Sequence, residues 1–267
     1  MDQNWIVENL NNAFTTWNEK LTELWSLVTT SPATFKGGTV WGIMQTIHGA
    51  MLAIGYALVI LFFAMSLFKN TANFHELKRP EAALHYLIRF VAAKTAVGYG
   101  MEIMLKVFEV CNGIVSEMAA SMGGISQAMV SLPGEVQTAI ENVGFLASIP
   151  LWLITILGSL FITVLSFIMI LTVYGRMFKL YMYTAIAPIP ISTFAGEPSQ
   201  SVGKNFIKSY AGVCLEGAII ALACIIFSVY SASPPAIGDT SLSAVTIVWN
   251  YVGELVFNLL VLVGAVK

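Results

Sequence analysis

From Phe145 to Gly175 the chain runs for thirty-one residues without a charged side chain. A helix of that length measures about 46 Å at about 1.5 Å per residue, more than the roughly 30 Å of a bilayer's hydrocarbon core. In lipid the backbone must satisfy its own polar groups, so such a run crosses as a helix. Composition agrees, with 57% of the 267 residues hydrophobic and 10% charged, where a soluble domain carries about a quarter charged. Mean hydropathy is +0.78. The expected fold is all-α, a multi-pass transmembrane helical bundle of about five spans.

The other spans are expected near 45–68, 209–230 and 243–266, the last two carrying Glu216 and Glu254. The first holds Gly49–Phe68, twenty residues without a charge, long enough to cross. Segment 82–110 contains Arg89, Lys94, Glu102, Lys106 and Glu109. Lys94 and the three later charges share one face at helical spacing. It reads as a fifth span with a polar stripe toward protein or water, the alternative being an amphipathic surface helix. Residues 111–145 have no Lys or Arg and are punctuated by Gly123-Gly124 and Pro133-Gly134, the pattern of a water-exposed connection with short helices.

Residues 1–42 form a separate N-terminal part, ahead of a transmembrane domain over 43–267. Ile6, Leu10, Phe14, Trp17, Leu21, Leu24 and Val28 recur three or four apart between charged and polar residues, which predicts an amphipathic helix. With Trp5, Trp17 and Trp25 near its stripe it suits a membrane interface, or equally a neighbouring subunit. The opening MDQNWIVENLNNAF lacks a basic start followed by an apolar run, so insertion is expected to rely on the internal spans.

Segment 180–196 includes YTAIAPIPISTF. Pro188 and Pro190 each remove a backbone donor and crowd the carbonyl four residues back, so this is a candidate helix break. Such a break is tolerable inside protein, beside a wet cavity or near the membrane surface. Lysine and arginine counts help to place it. The connection 69–94 holds five and 176–208 holds four, while 111–145 and 231–242 hold none. If 82–110 crosses, the positive-inside bias puts the N-terminus outside and the C-terminus in the cytoplasm. The proline segment then dips in from the cytoplasmic side, or packs on it, as a re-entrant or surface element.

Little in the sequence suggests catalysis. His48, His75 and His85 lack metalloprotease spacing, no nucleophile elbow or phosphate loop is present, and Cys111, Cys214 and Cys224 form no short-spaced metal pattern. No enzyme activity, metal or cofactor is expected. The formal charge of −2 does not by itself point to a polyanionic partner. Carboxylates within spans are costly unless neutral, paired or wet. Arg89 or Lys94 pairing with Glu216 or Glu254, within the bundle or between subunits, is therefore one reading; protonated or hydrated acids are the other. Gly49, Ala53 and Ala57, with Gly217 and Ala221, are candidate helix-packing positions.

The order of a long uncharged span, YGRMFKLYMYTAIAPIPISTFAG, and then SVGKNFIKSYAGVCLEGAIIALACIIF resembles the TrbL/VirB-six family of type IV secretion and conjugal transfer machines. The LVGAVK ending is similar to the short forms of Gram-positive conjugative elements. The likeness is strongest over 145–230 and thin before 45. It implies a multi-pass subunit of the bacterial cytoplasmic membrane with the same topology that charge counting gives. It also implies a homo-oligomeric ring that contacts the lipid bilayer, other secretion subunits including ATPases, and transiently the transferred DNA or protein. On that model Lys204, Lys208 and the proline segment face the ATPases or the substrate; a simpler reading of the lysines is a positive-inside anchor. The connection 111–145 is short for the family.

Two other classes fit parts of the pattern. A secondary transporter uses broken helices and buried charges, which Pro188, Pro190 and Glu216 supply, but the proline break has no counterpart over 43–110. A small oligomeric membrane pore would use the glycine and alanine positions instead.

Overall fold

The computed structural model describes residues 4–71, 80–121, 129–232 and 243–266. His75, Lys78, Arg79, the Gly123-Gly124 pair and most of the connection 231–242 lie outside the described residues. The described chain is helical and contains no strand. In order, the helices are α1 (Asn4–Thr29), α2 (Thr39–Thr71), α3 (Pro80–Gly98), α4 (Gly100–Ser121), α5 (Gly134–Glu141), α6 (Phe145–Ile186), α7 (Pro188–Ser192), α8 (Gln200–Ala232) and α9 (Ala244–Val266).

Among the described residues four helical stretches are long and apolar enough to cross a membrane: Phe35–Lys69, Ser148–Ile186, Gln200–Phe227 and Val245–Val266. They cover, but for a few residues at their ends, the spans expected near 45–68, 145–175, 209–230 and 243–266. Segment 82–110 is not among them. Its charges dilute its hydropathy, and glycines on either side of Tyr99, poor helix formers, divide it into α3 and α4. The ladder still runs through the joint, with Tyr99 N–H on Thr95 O and Ile103 N–H on Tyr99 O, both at 2.9 Å. Two further boundaries move. The expected connection 111–145 begins as helix, since α4 runs to Ser121. The span 145–175 continues to Ile186 as a helix of 42 residues, about 63 Å long, so 180–186 is its last two turns.

The chain divides into two compact units. The first comprises Met1–Thr29, Val115–Gly175 and Gly217–Lys267. Its core is built by the apolar stripe of α1, with Ile6, Leu10, Phe14, Trp17, Leu21, Leu24 and Val28 all buried. Trp17 meets Phe227 edge-on at 5.1 Å between ring centroids, and Phe14 meets Tyr251 at 6.4 Å. The stripe is thus covered by this chain's own α6, α8 and α9 residues, and not by a membrane interface or a second subunit. Asn18 fixes the approach to α5 by donating to Val130 O and accepting from Val130 N–H, each at 2.9 Å. On the outer face Lys20 pairs with Glu23 at 2.8 Å, and this hydrogen bond holds the lysine above its ordinary range. Gly217 and Ala221 are buried in this unit.

The second unit comprises Thr30–Ile114 and Arg176–Glu216. Here α7 lies against α2 and α3. Gly49, Ala53 and Ala57 are exposed on α2, so the two sets of small residues take opposite roles, one inside its unit and one outward.

Candidate functional site

The second unit gathers the proline break and most of the charges singled out in the sequence. At the break the backbone barely departs from a helix. Ala187 keeps right-handed helical dihedrals (φ −49°, ψ −38°), and Ile191 N–H reaches Ala187 O at 3.1 Å. What the prolines remove is two donors, those that would bond Thr184 O and Ile186 O in an α-ladder. α7 then continues for a single turn, with Pro188, Ile191 and Ser192 buried. The segment is therefore packed inside protein, the first of the three settings in which such a break is tolerable.

A side chain from another helix meets the first freed carbonyl. His48 of α2, 4% exposed, places Nδ1 2.8 Å from Thr184 O. A carbonyl only accepts, so the imidazole donates from Nδ1, and its Nε2 is buried with no hydrogen-bond partner. Close approach of the backbones is made by glycine. A Cβ at Gly55 would stand 2.9 Å from Pro188 Cβ, 3.0 Å from Pro188 O and 3.1 Å from Val97 Cγ1, so α2, α3 and α7 meet at a point that admits no side chain.

Beyond α7 the turn into α8 is closed by hydroxyls. Thr193 Oγ1 donates to Pro190 O at 2.7 Å and accepts from Gly203 N–H at 2.9 Å. Ser199 Oγ donates to Thr193 O at 2.9 Å. These bonds satisfy backbone groups that helix ends leave over.

The charges are arranged differently from the sequence expectation. Within one chain Glu216 takes Lys179, whose Nζ lies 3.1 Å and 3.3 Å from its two carboxylate oxygens. Arg89 faces Glu197 at 3.9 Å. With its amide oxygen turned toward Arg89, Gln200 also accepts from Nη2 at 3.1 Å and from Nε at 3.2 Å. Lys94 and Glu254 are exposed. In the sequence Arg176 and Lys179 serve only as topology markers, yet both reach from α6 to α8. Arg176 is 1% exposed, donates from Nε to Val213 O and from Nη2 to Cys214 O, both at 3.1 Å, and its guanidinium covers Phe108 at 5.6 Å from the ring centroid. The available signal was register: Arg176 and Lys179 are three apart on α6, opposite Val213 and Glu216, three apart on α8.

Two tyrosines fix further backbone positions. Tyr210 donates to Met104 O and Tyr181 to Pro32 O, each at 2.9 Å. Among the described residues no three His, Cys, Asp or Glu side chains come together as a metal-ligand group. The chemistry that this arrangement supports is mechanical: long-range side-chain donors on backbone carbonyls, holding a proline-interrupted helix at a crossing that a glycine makes close.

No curated protein and no solved structure matches the chain. A family model, described as TrbL/VirB6 plasmid conjugal transfer like protein, matches residues 17–188. The match takes in the second half of α1, all of α2 to α6, and ends on the first proline of the break. It thus extends well before residue 45 and stops short of α8, whereas the motifs that carry the sequence likeness lie over 145–230. With well over half of its length so matched, and with four helices fit to cross a membrane, the chain belongs to the TrbL/VirB6-like family of plasmid conjugal transfer proteins.

Proposed function

We propose that the protein is a structural subunit of the membrane channel of a conjugative type IV secretion apparatus, an oligomeric platform in the bacterial cytoplasmic membrane for substrate passage or pilus assembly. The family match over residues 17–188 carries this reading. The exposed apolar faces of its span helices, including Phe68, Leu171, Phe178 and Phe257, fit a chain whose surroundings are lipid and neighbouring subunits. On this reading segment 82–110 makes a fifth crossing, with its polar stripe toward protein or water, and the N-terminus then lies outside and the C-terminus in the cytoplasm. The partners are further copies of the chain, other secretion subunits including the ATPases, and in passing the transferred DNA or protein. The chain supplies no chemical step.

Deletion of the chain from its conjugative element, with complementation in trans, tests the role. Donor-to-recipient transfer is expected to vanish on deletion and to return on complementation. Native mass measurement of the purified protein should give a multiple of the single chain consistent with a ring. Undiminished transfer after deletion, or a purified monomer with a closed central cavity, would refute the channel role and favour a transporter.

A further inference from the structure

We infer that His48 stands in for the N–H that Pro188 lacks, and is the positioning residue that fixes the direction of α7. The argument starts from Thr184 O. In an uninterrupted helix this carbonyl accepts from residue 188, and at 188 there is a proline. Left alone, a buried carbonyl without a donor is costly. The imidazole of His48 reaches it at 2.8 Å from a different helix, 136 residues away in the chain. Proline break and partner helix are therefore joined: the bond that an ordinary helix makes within itself is made here to α2.

Two neighbouring contacts point the same way. Pro188 bears directly on α2 at Gly55, where a Cβ would stand 2.9 Å from Pro188 Cβ. On the other side of the imidazole, its Cε1 would lie 3.4 Å and Ile191 Cδ1 3.5 Å from a Cβ built on Gly100. His48 thus sits among the first turn of α4, the last turn of α6 and α7, and its one donated hydrogen bond goes to the carbonyl that the proline vacates. Ala187 already has helical dihedrals, so an alanine at 188 would present an N–H toward Thr184 O while keeping the Cβ that meets Gly55.

The test is hydrogen–deuterium exchange at Ile191, whose N–H reaches Ala187 O, in the purified full-length protein. It stands apart from any transfer role. Asparagine at 48 keeps a donor where Nδ1 is, while glutamine moves its donor to the Nε2 position. His48→Ala should speed exchange about tenfold, the consequence of a buried acceptor losing its partner, with His48→Gln alike and His48→Asn within about twofold of the natural protein. Adding Pro188→Ala to His48→Ala should restore most of the protection. Equal protection by glutamine and asparagine, or no rescue by Pro188→Ala, overturns the inference. If His48→Ala fails to accumulate in membranes, the asparagine–glutamine comparison decides alone.

Discussion

The two units are held together by different means. The first is held by an apolar core, with α1 contributing large side chains such as Trp17 and Phe14 to a continuous cluster. The second depends on close backbone approach at Gly55 and on side chains that donate to distant carbonyls: His48, Arg176, Tyr181 and Tyr210. Lipid tails are as apolar as leucine, so packing and interhelical hydrogen bonds, more than exclusion of water, bring helices together in a membrane. Both units include span segments, so the difference lies in what makes the contacts: large apolar side chains in one, backbone carbonyls and a glycine in the other.

The contrast can be broken most forcefully in the first unit. Trp17→Ala removes an indole from the core and should destabilise the protein by about 3–5 kcal/mol, read as a loss of thermal stability in detergent. In the second unit Arg176→Met keeps a long stem but loses two hydrogen bonds to carbonyls, at an expected cost of about 3 kcal/mol. A methionine variant as stable as the natural protein would show that polar contacts do not hold this unit.

Glycine substitutions sharpen the comparison at smaller effect. At Gly158 in the first unit the three atoms nearest the new Cβ all belong to the Val252 side chain, whereas at Gly55 it meets Pro188, its carbonyl and Val97. Each alanine variant should cost about 1–3 kcal/mol as overpacking. Val252→Ala should relieve Gly158→Ala, while Val97→Ala should leave Gly55→Ala impaired, because Pro188 remains in the way. The smallest effect is expected at the surface. The Lys179 and Glu216 side chains are 51% and 36% exposed, so Lys179→Ala should change thermal stability by less than about 1 kcal/mol.

Much of the fold was legible in the sequence because length and periodicity report directly on helices. The apolar runs in α2, α6, α8 and α9 and the three-to-four spacing in α1 needed no partner to be recognised. What covers α1 was not legible: a stripe shows that it must be buried, and not by what. The same limit applied to charge. Glu216 looked equally able to meet Arg89, Lys94 or nothing, since sequence does not give the rotation of α6 against α8 that brings Lys179 to it. In the sequence His48 is only a histidine without metal-site spacing. Its role depends on a carbonyl freed by a proline 140 positions later, so only the three-dimensional structure pairs them.

The three cysteines offer a practical return. Cys111, Cys214 and Cys224 are all buried, and none forms a disulfide, so maleimide reagents should leave the folded natural protein almost untouched. A thiol introduced at exposed Lys204 would then report its compartment against a silent background, with no cysteine-free parent to build. Each side of the membrane can be painted one position at a time on a chain that keeps every native packing contact of its sulfurs.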